Sequence, residues 1–334
     1  MVYKDVLINA RQNMGKYCKA CDECSGRACR NTFPGPGALG CGDVAVRNYD
    51  KWKEIRLHMD TIHEDRPVDM CTTLCGKEFE YPFFAGPTGG IKMHYGESYD
   101  DVSYNAVMME TCANYGTVAF ANDNIENCFE GIQKAGGIGI PAMIPYDFDV
   151  MEKRIARIHD SGAYAMAMAI DSQGLPYFKK NHEAKFISKE QLAEVIKLAN
   201  MPFIVKGVMT VKGAEKAVEA GASAIVVSNH GGRVLDQGLA TAEVLEDIVG
   251  SVGGAVPVLV DGGIRSGADM FKAFAMGAKG VLICRPFVTA IYGGGSDGIC
   301  CYIDKLAEEL KYAMWMCGAF SLDEITRDMI HVPW

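Results

Sequence analysis

The distribution of apolar positions divides the chain into two parts. From residue 81 onward, short apolar runs alternate with amphipathic segments in which apolar residues recur at helical spacing. The clearest amphipathic helices are predicted at 189–199, 211–220, 240–249 and 266–276. The eight predicted strands lie at 81–86, 116–120, 137–144, 163–170, 202–207, 222–228, 257–261 and 280–284. Eight alternating units are typical of an α/β protein of the closed (β/α)8 barrel type.

An open, doubly wound sheet is the alternative architecture. Such a sheet usually carries its glycine-rich phosphate loop after the first strand. In this chain the glycine-rich turns follow predicted strands six to eight instead, so the pattern favours the barrel.

Residues 1–80 do not continue the alternation. They hold five cysteines between Cys18 and Cys41, a turn-rich segment at 33–37 and a charged stretch at 48–69. We therefore predict a Cys-rich N-terminal extension at 1–80 ahead of a barrel at 81–334. Near the other end, the glycine-rich stretch at 293–297 predicts a flexible loop that leads into a helix at about 299–318.

Composition excludes several classes of function. Hydrophobic residues make up 49% of the 334 positions and charged residues 22%, which is typical of a globular protein with a large core. The net charge is -9 and no block of Lys and Arg is present, so nucleic acid is a poor candidate partner. Because no apolar run approaches the roughly 20 residues of a membrane span and the first residues lack the apolar core of a secretion signal, we expect a cytoplasmic protein.

Polar residues follow the predicted strands where a barrel of this kind places its active site, at the carboxyl ends. Two late loops carry the residues that a phosphate site needs: Gly263 allows close approach of backbone N–H groups, and Arg265 and Arg285 supply charge. The alternative is that these glycines only form tight turns and that the arginines are solvated. Two such loops on successive strands favour phosphate.

His230 is the candidate base, because two glycines follow it and leave its imidazole accessible. Asp171, at the end of strand four, would stabilise the charged imidazole, although a helix cap is an equal alternative. Lys206 ends an apolar strand, where a charge needs an anionic partner or else lies at the surface. Arg233 could bind a substrate carboxylate through two hydrogen bonds.

The segment Ser-Asn-His-Gly-Gly-Arg-Val-Leu-Asp at 228–236 resembles the signature of the FMN-dependent 2-hydroxy-acid dehydrogenases and oxidases, the family of glycolate oxidase, lactate oxidase and flavocytochrome b2. The similarity extends through Val-Lys-Gly-Val at 205–208, Asp-Gly-Gly-Ile-Arg-Ser-Gly-Ala-Asp at 261–269 and Arg-Pro at 285–286. It is strong over about the last 130 residues and loose over the first half of the barrel.

The resemblance implies a role for each matched residue. His230 would take the substrate proton, Asp171 would stabilise its imidazolium, Arg233 would bind the carboxylate, and Lys206 would face the flavin N1 edge. The residues implied to bind FMN are Pro87, Thr88, Gly89, Asn122, Lys206, Ser228, Asp261, Gly263, Arg265, Cys284 and Arg285. Among these, Gly263, Arg265 and Arg285 would hold the phosphate, and Asp261 would contact the ribityl chain.

The chain departs from the family pattern where the substrate would bind. The tyrosine and glutamine that the family carries on strand three are replaced by Met143 and Pro141. A second carboxylate-binding arginine has no counterpart after strand four, and the N-terminal active-site tyrosine is not recognisable.

Cys18, Cys21, Cys24 and Cys29 have the spacing C-x2-C-x2-C-x4-C, which is close to the iron–sulfur motif of bacterial ferredoxins. Closely spaced thiolates repel one another unless a metal neutralises them, so the spacing predicts a [4Fe-4S] cluster, with structural zinc as the alternative. Cys41, Cys71 and Cys75 are alternatives for one ligand.

Together these observations predict FMN-dependent oxidation of a 2-hydroxy acid, with electrons passed to an unidentified acceptor or a redox partner protein. The family resemblance implies a homotetramer. The alternatives are a flavin-dependent isomerase of the isopentenyl diphosphate type and a non-catalytic electron carrier.

Overall fold

The computed structural model describes residues 2–122, 124–181 and 183–334. Its strands are β1 (Arg56–Leu57), β2 (Thr72–Leu74), β3 (Lys77–Phe79), β4 (Phe83–Ala85), β5 (Ala142–Met143), β6 (Met166–Ala169), β7 (Phe203–Val208), β8 (Ala224–Val227), β9 (Val258–Val260), β10 (Gly280–Ile283) and β11 (Ile330–His331). Its α-helices are α1 (Tyr3–Asn13), α2 (Asp43–Glu54), α3 (Ile91–His94), α4 (Asp101–Asn114), α5 (Phe129–Lys134), α6 (Phe148–Ser161), α7 (Pro176–Asn181), α8 (Lys189–Ala199), α9 (Val211–Glu219), α10 (Thr241–Val252), α11 (Gly267–Ala275) and α12 (Arg285–Met316).

Seven strands form one parallel sheet that curls toward closure. Strands β5 to β10 pair in sequence order, and β10 pairs in turn with β4. Isolated parallel bridges join the two remaining edges, Ala85 to Ala119 and Phe120 to Ile140. The predicted α/β barrel architecture is thus present, but the predicted second strand at 116–120 is reduced to these two bridges, because only Ala119 and Phe120 align with their neighbours.

Helices α8, α9 and α11, which alternate with the later strands, begin at polar caps. Ser188 accepts a hydrogen bond from the Gln191 backbone N–H ahead of α8, and Thr210 and Ser266 cap α9 and α11 in the same way. The four helices predicted from amphipathic spacing are all present within a few residues of their expected bounds.

Both faces of the barrel strands are buried, which explains why they are continuously apolar. In β7, Ile204 points into the barrel interior with Val226, Leu259 and Leu282, whereas its neighbour Val205 packs outward against the helices. The interior is therefore a packed core, and any ligand must bind at its mouth.

The predicted flexible loop at 293–297 is wrong. Helix α12 runs through this region and is interrupted only at Gly295, whose φ of 57° and ψ of −135° break the helical geometry. A residue without a Cβ permits this break, so the glycine-rich sequence gives a kink between two helical stretches.

The first 80 residues pack against the barrel. The Trp52 indole N–H of α2 donates to the Gly262 carbonyl at 2.8 Å, and β1 pairs with β11 near the C-terminus. Gly263 has a φ of 84°, and a Cβ there would lie 2.2 Å from the Asn48 carbonyl oxygen. The close packing of α2 is therefore one reason why this position is glycine. No helix in the described part of the chain is long and apolar enough to cross a membrane.

Candidate active site

A cavity of about 430 Å³ opens at the carboxyl ends of the barrel strands. Loops that follow β4, β6, β8, β9 and β10 reach it, and β7 contributes Lys206 from the strand itself, as the barrel geometry requires. The residues predicted from the sequence that line it are Pro87, Thr88, Gly89, Asn122, Lys206, His230, Arg233, Asp261, Gly263, Arg265, Cys284 and Arg285. The structure therefore brings together residues that are spread from Pro87 to Arg285 in the sequence.

His230 follows β8 and is held from two sides. Its backbone N–H donates to the Ser228 hydroxyl at 3.2 Å, and its Nδ1 lies 3.0 Å from Asp171 Oδ1. Burial alone would raise the pKa of Asp171, but the adjacent His230 and, further away, Lys206 lower it below the ordinary value. Asp171 is thus an ionised carboxylate that accepts from Nδ1–H, which leaves Nε2 of His230 free to accept a proton.

Lys206 on β7 is one of the most buried charged groups of the protein. Its Nζ lies 3.0 Å from Asp261 Oδ2 and donates to the Ser228 hydroxyl at 2.8 Å, with the lysine and aspartate side chains only 2% and 4% exposed. Burial lowers the pKa of Lys206, but the negative charges of Asp261 and Asp171 raise it by a larger amount. The pKa of Lys206 therefore lies above its ordinary value. The surface-lysine alternative is therefore excluded, and Asp261 supplies an anionic partner that the sequence did not suggest.

Arg265 and Arg285 stand at the ends of β9 and β10 without a carboxylate partner among the residues that the structure describes. The Arg265 guanidinium donates to the backbone oxygens of Cys24 and Ile264, and Arg285 donates to those of Pro36 and Gly231. Two guanidinium groups that meet carbonyl oxygens and a thiol, but no carboxylate among the described residues, provide a site for an anion of high charge. This fits the phosphate of FMN.

His94 is a cavity residue that sequence reasoning missed. It ends the short helix α3, is 5% exposed, accepts a hydrogen bond from the Gly35 N–H at Nδ1 over 2.9 Å and lies against Arg233. Its position shortly after the glycine-rich segment at 85–90 was the available signal, but nothing in the local pattern distinguishes it from a core histidine.

Strand three presents an apolar surface to the cavity. Ala142 and Ile144 line it here, and Tyr146 lines it just after the strand, but neither Met143 nor Pro141 is among the lining residues. The two positions matched to the family's tyrosine and glutamine, Met143 and Pro141, therefore add no polar group to the cavity wall.

The predicted metal site is not supported by the structure. Within the described residues, no three His, Cys, Asp or Glu side chains are arranged to hold a metal ion. Cys18 and Cys21 are partly exposed, whereas Cys29 is buried with its Sγ 3.8 Å from the Gly26 oxygen. Cys24 instead contacts Arg265, with its Sγ 3.9 Å from Nη2. The cysteine segment thus packs beside the proposed phosphate site.

Comparison with known proteins identifies the family of the chain. The family model described as FMN-dependent dehydrogenase matches residues 36–191 and 177–332. A peroxisomal (S)-2-hydroxy-acid oxidase of Oryza sativa subsp. japonica is 33% identical over 297 residues, which cover 79% of this chain and 81% of the relative. Glycolate oxidase of Spinacia oleracea is 30% identical over 307 residues, covering 80% and 82%.

Solved structures agree on the fold. A mandelate oxidase has a TM-score of 0.81 and 25% identity, with coverage of 99% of this chain and 97% of that one. A flavocytochrome b2 variant, with 24% identity, has a TM-score of 0.78 over 89% of this chain and 81% of its own. The sequence match and the shared barrel show that the chain belongs to the family of FMN-dependent dehydrogenases.

Proposed function

We propose that the protein oxidises a 2-hydroxy acid to the corresponding 2-oxo acid with FMN as its cofactor. The observation that carries this proposal is the Asp171–His230 pair, whose imidazole lines the same cavity as Arg233. A base oriented by a carboxylate and an arginine without a carboxylate partner among the described residues are the two groups that deprotonation of a carboxylate-bearing substrate requires.

Three residues of the protein have separate roles in the proposed reaction. Arg233 binds the substrate carboxylate, and Nε2 of His230 accepts a proton as the substrate's carbon–hydrogen and oxygen–hydrogen bonds are lost. Asp171 stabilises the imidazolium, since its charge lies 3.0 Å from Nδ1. Bound FMN would supply the acceptor for the two electrons and the second proton that leave the substrate.

The flavin would be held by groups on both sides of the cavity. Arg265 and Arg285 would bind its phosphate, together with the backbone at Gly263, and Lys206 would place a positive charge beside the flavin ring. The other residues assigned to contact it are Pro87, Thr88, Gly89, Asn122, Ser228, Asp261 and Cys284, of which all but Ser228 line the cavity. Ser228 lies outside the cavity lining, where its hydroxyl accepts hydrogen bonds from Lys206 Nζ and from the His230 backbone N–H and so positions both residues.

The isomerase and electron-carrier alternatives have less support. The relatives include several 2-hydroxy-acid oxidases, and an intact base with its carboxylate is not needed by a carrier. The names of the plant relatives place those proteins in peroxisomes, so a cytoplasmic location for this chain stays a prediction, as do the tetramer, the redox partner and the cysteine-bound cluster.

Anaerobic spectroscopy tests the function directly. Purified protein is mixed with glycolate, lactate, mandelate and longer 2-hydroxy acids, and the visible flavin band is followed. We expect bleaching with at least one acid, and no bleaching in a His230→Gln variant that retains its flavin. A flavin that stays oxidised with every acid, or a His230→Gln variant that is reduced at the wild-type rate, would refute the proposal.

A further inference from the structure

The cavity has a polar group that the proposed reaction does not use. On the wall formed by strand three, Ala142 and Ile144 offer no hydrogen bond. His94 also lines the cavity, with its Nε2 3.4 Å from Nη2 of Arg233. This imidazole is therefore placed to act on whatever the arginine binds.

The proton of His94 can be located from its partners. A backbone N–H can only donate, so the 2.9 Å bond from Gly35 requires Nδ1 of His94 to be the acceptor. The neutral ring therefore carries its hydrogen on Nε2, the nitrogen that faces Arg233. The neighbouring Phe33 ring lies 5.6 Å from the imidazole centroid and lines the cavity as well. Residues 33–35 thus fix both the tautomer and the position of the ring.

His94 remains neutral near physiological pH. Burial and, secondarily, the charge of Arg233 lower its pKa to about 4. Protonation would also place a hydrogen on Nδ1 against the Gly35 N–H. The imidazole is therefore a fixed neutral donor, and it cannot act as a second base or as a cation.

Two donors consequently face each other with no acceptor between them. The guanidinium of Arg233 has only N–H groups, and Nε2 of His94 carries a hydrogen, so their 3.4 Å approach is not a hydrogen bond. Within the described chain, Arg233 makes no ion pair with a carboxylate. An anionic oxygen placed beside both groups would accept from each of them.

We propose that His94 is a substrate-binding residue that donates from Nε2 to the carboxylate bound by Arg233. The inference rests on the proposed function, because it assigns the substrate's carboxylate to this corner of the cavity. It gives residues 33–35, which lie outside the barrel, a positioning role in substrate recognition. A purely structural role would require only the bond between Gly35 and Nδ1.

Two variants separate the roles of the two ring nitrogens. In His94→Asn, the side-chain oxygen takes the place of Nδ1 and still accepts from Gly35, but no donor reaches the position of Nε2. In His94→Gln, the amide reaches that position and supplies an N–H. Both variants are prepared as flavin-loaded protein, and flavin content and melting temperature are recorded to establish that the fold is intact.

The main readout is the dissociation constant for oxalate, a dicarboxylate probe, measured from the perturbation of the flavin spectrum without turnover. We expect His94→Asn to bind oxalate roughly 10- to 100-fold more weakly, as for the loss of one hydrogen bond to a charged group. His94→Gln should recover most of the affinity. The same order should hold for kcat/KM with any acid that wild type oxidises.

Oxalate affinity in His94→Asn equal to that of wild type would overturn the inference. Equal losses in both variants, accompanied by a lower melting temperature, would also overturn it, because they would show a structural role. If no 2-hydroxy acid reduces the wild-type flavin, the proposed reaction fails, but the oxalate measurement still decides the role of His94. If a 2-hydroxy acid reduces the wild-type flavin and His94→Asn has the wild-type oxalate affinity and kcat/KM, the proposed reaction stands and only the role of His94 is refuted.

Discussion

Replacing Lys206 by methionine tests how charge is balanced beneath the mouth of the barrel. The Lys206–Asp261 pair is almost fully removed from water, with 3.0 Å between Nζ and Oδ2. Asp261 Oδ1 is buried without a hydrogen-bond partner among the described residues, so this carboxylate depends strongly on the lysine. Loss of one member of a buried pair leaves the other charge uncompensated, at a cost of about 3–5 kcal/mol. We expect Lys206→Met to lose stability in this range.

The two partners should not be equivalent. Asp171 also raises the pKa of Lys206, so in Asp261→Asn the lysine keeps a second negative charge nearby. We therefore expect Asp261→Asn to cost less than Lys206→Met. The double variant, which leaves no charge unpaired at this pair, should recover at least half of the loss caused by Lys206→Met.

Urea unfolding of the flavin-free protein, followed by tryptophan fluorescence, measures these differences without the stabilisation that a bound flavin adds. Lys279→Met is a matched control, because the Lys279–Asp323 pair is 63% and 90% exposed and should contribute nothing measurable. A loss below about 1 kcal/mol in Lys206→Met, or a double variant as unstable as Lys206→Met alone, would refute the mutual dependence of the two buried charges.

Three further predictions concern the site and its support. Asp171→Asn should slow flavin reduction by roughly 10- to 100-fold without changing FMN affinity, because His230 loses a hydrogen bond to a charged group. Stopped-flow spectroscopy measures the reduction rate, and an unchanged rate would contradict the role of Asp171. Arg265→Gln should weaken FMN binding by roughly 10-fold or more, measured by fluorescence titration, and an unchanged affinity would move the phosphate elsewhere. Burial raises the pKa of Glu243, but hydrogen bonds from Arg47 and from a backbone N–H lower it by a larger amount. The pKa of Glu243 therefore lies below its ordinary value of 4.5. The ionised Glu243 therefore stabilises the fold fully at pH values above its ordinary pKa, and this stabilisation is lost as the pH falls through the lowered pKa of the folded state. The difference in unfolding free energy between wild type and Glu243→Gln should therefore become smaller in acid. A difference that does not change with pH would contradict this.

Much of the site could be predicted because the barrel obeys a positional rule. Once the strands that end at or next to Asp171, Lys206, His230 and Asp261 were recognised, their carboxyl ends were expected to converge. The structure places all four side chains in or directly beside one cavity. Apolar runs bounded by turns were enough to find these strands. The second barrel strand was predicted to be longer than it is, because apolar periodicity does not show whether the backbone groups of a segment align with those of the two neighbouring strands.

What the sequence could not supply were contacts between distant segments. The pairing of Lys206 with Asp261 depends on the register of neighbouring strands, and the tautomer of His94 depends on a backbone N–H from residue 35. Spacing alone also does not decide whether Cys18 to Cys29 form a metal site: among the described residues no three of the thiols are arranged to hold a metal ion, Cys24 contacts Arg265, and the cluster stays a prediction. Each of these outcomes is decided by tertiary packing.

The docking of residues 35–52 onto the barrel loops also affects how the protein folds. The Asn48–Asn229 hydrogen bond joins residues 181 positions apart, and Arg285 reaches the Pro36 carbonyl across 249 positions. Contacts of such high sequence separation form slowly, because a long loop must close before any of them contributes stability. During synthesis, the early segment must wait until nearly the whole barrel has left the ribosome before it can cover the mouth. An intermediate with a formed barrel and an undocked N-terminal segment would expose Arg265 and Arg285 to solvent, so we expect cofactor capture to accompany the last step of folding.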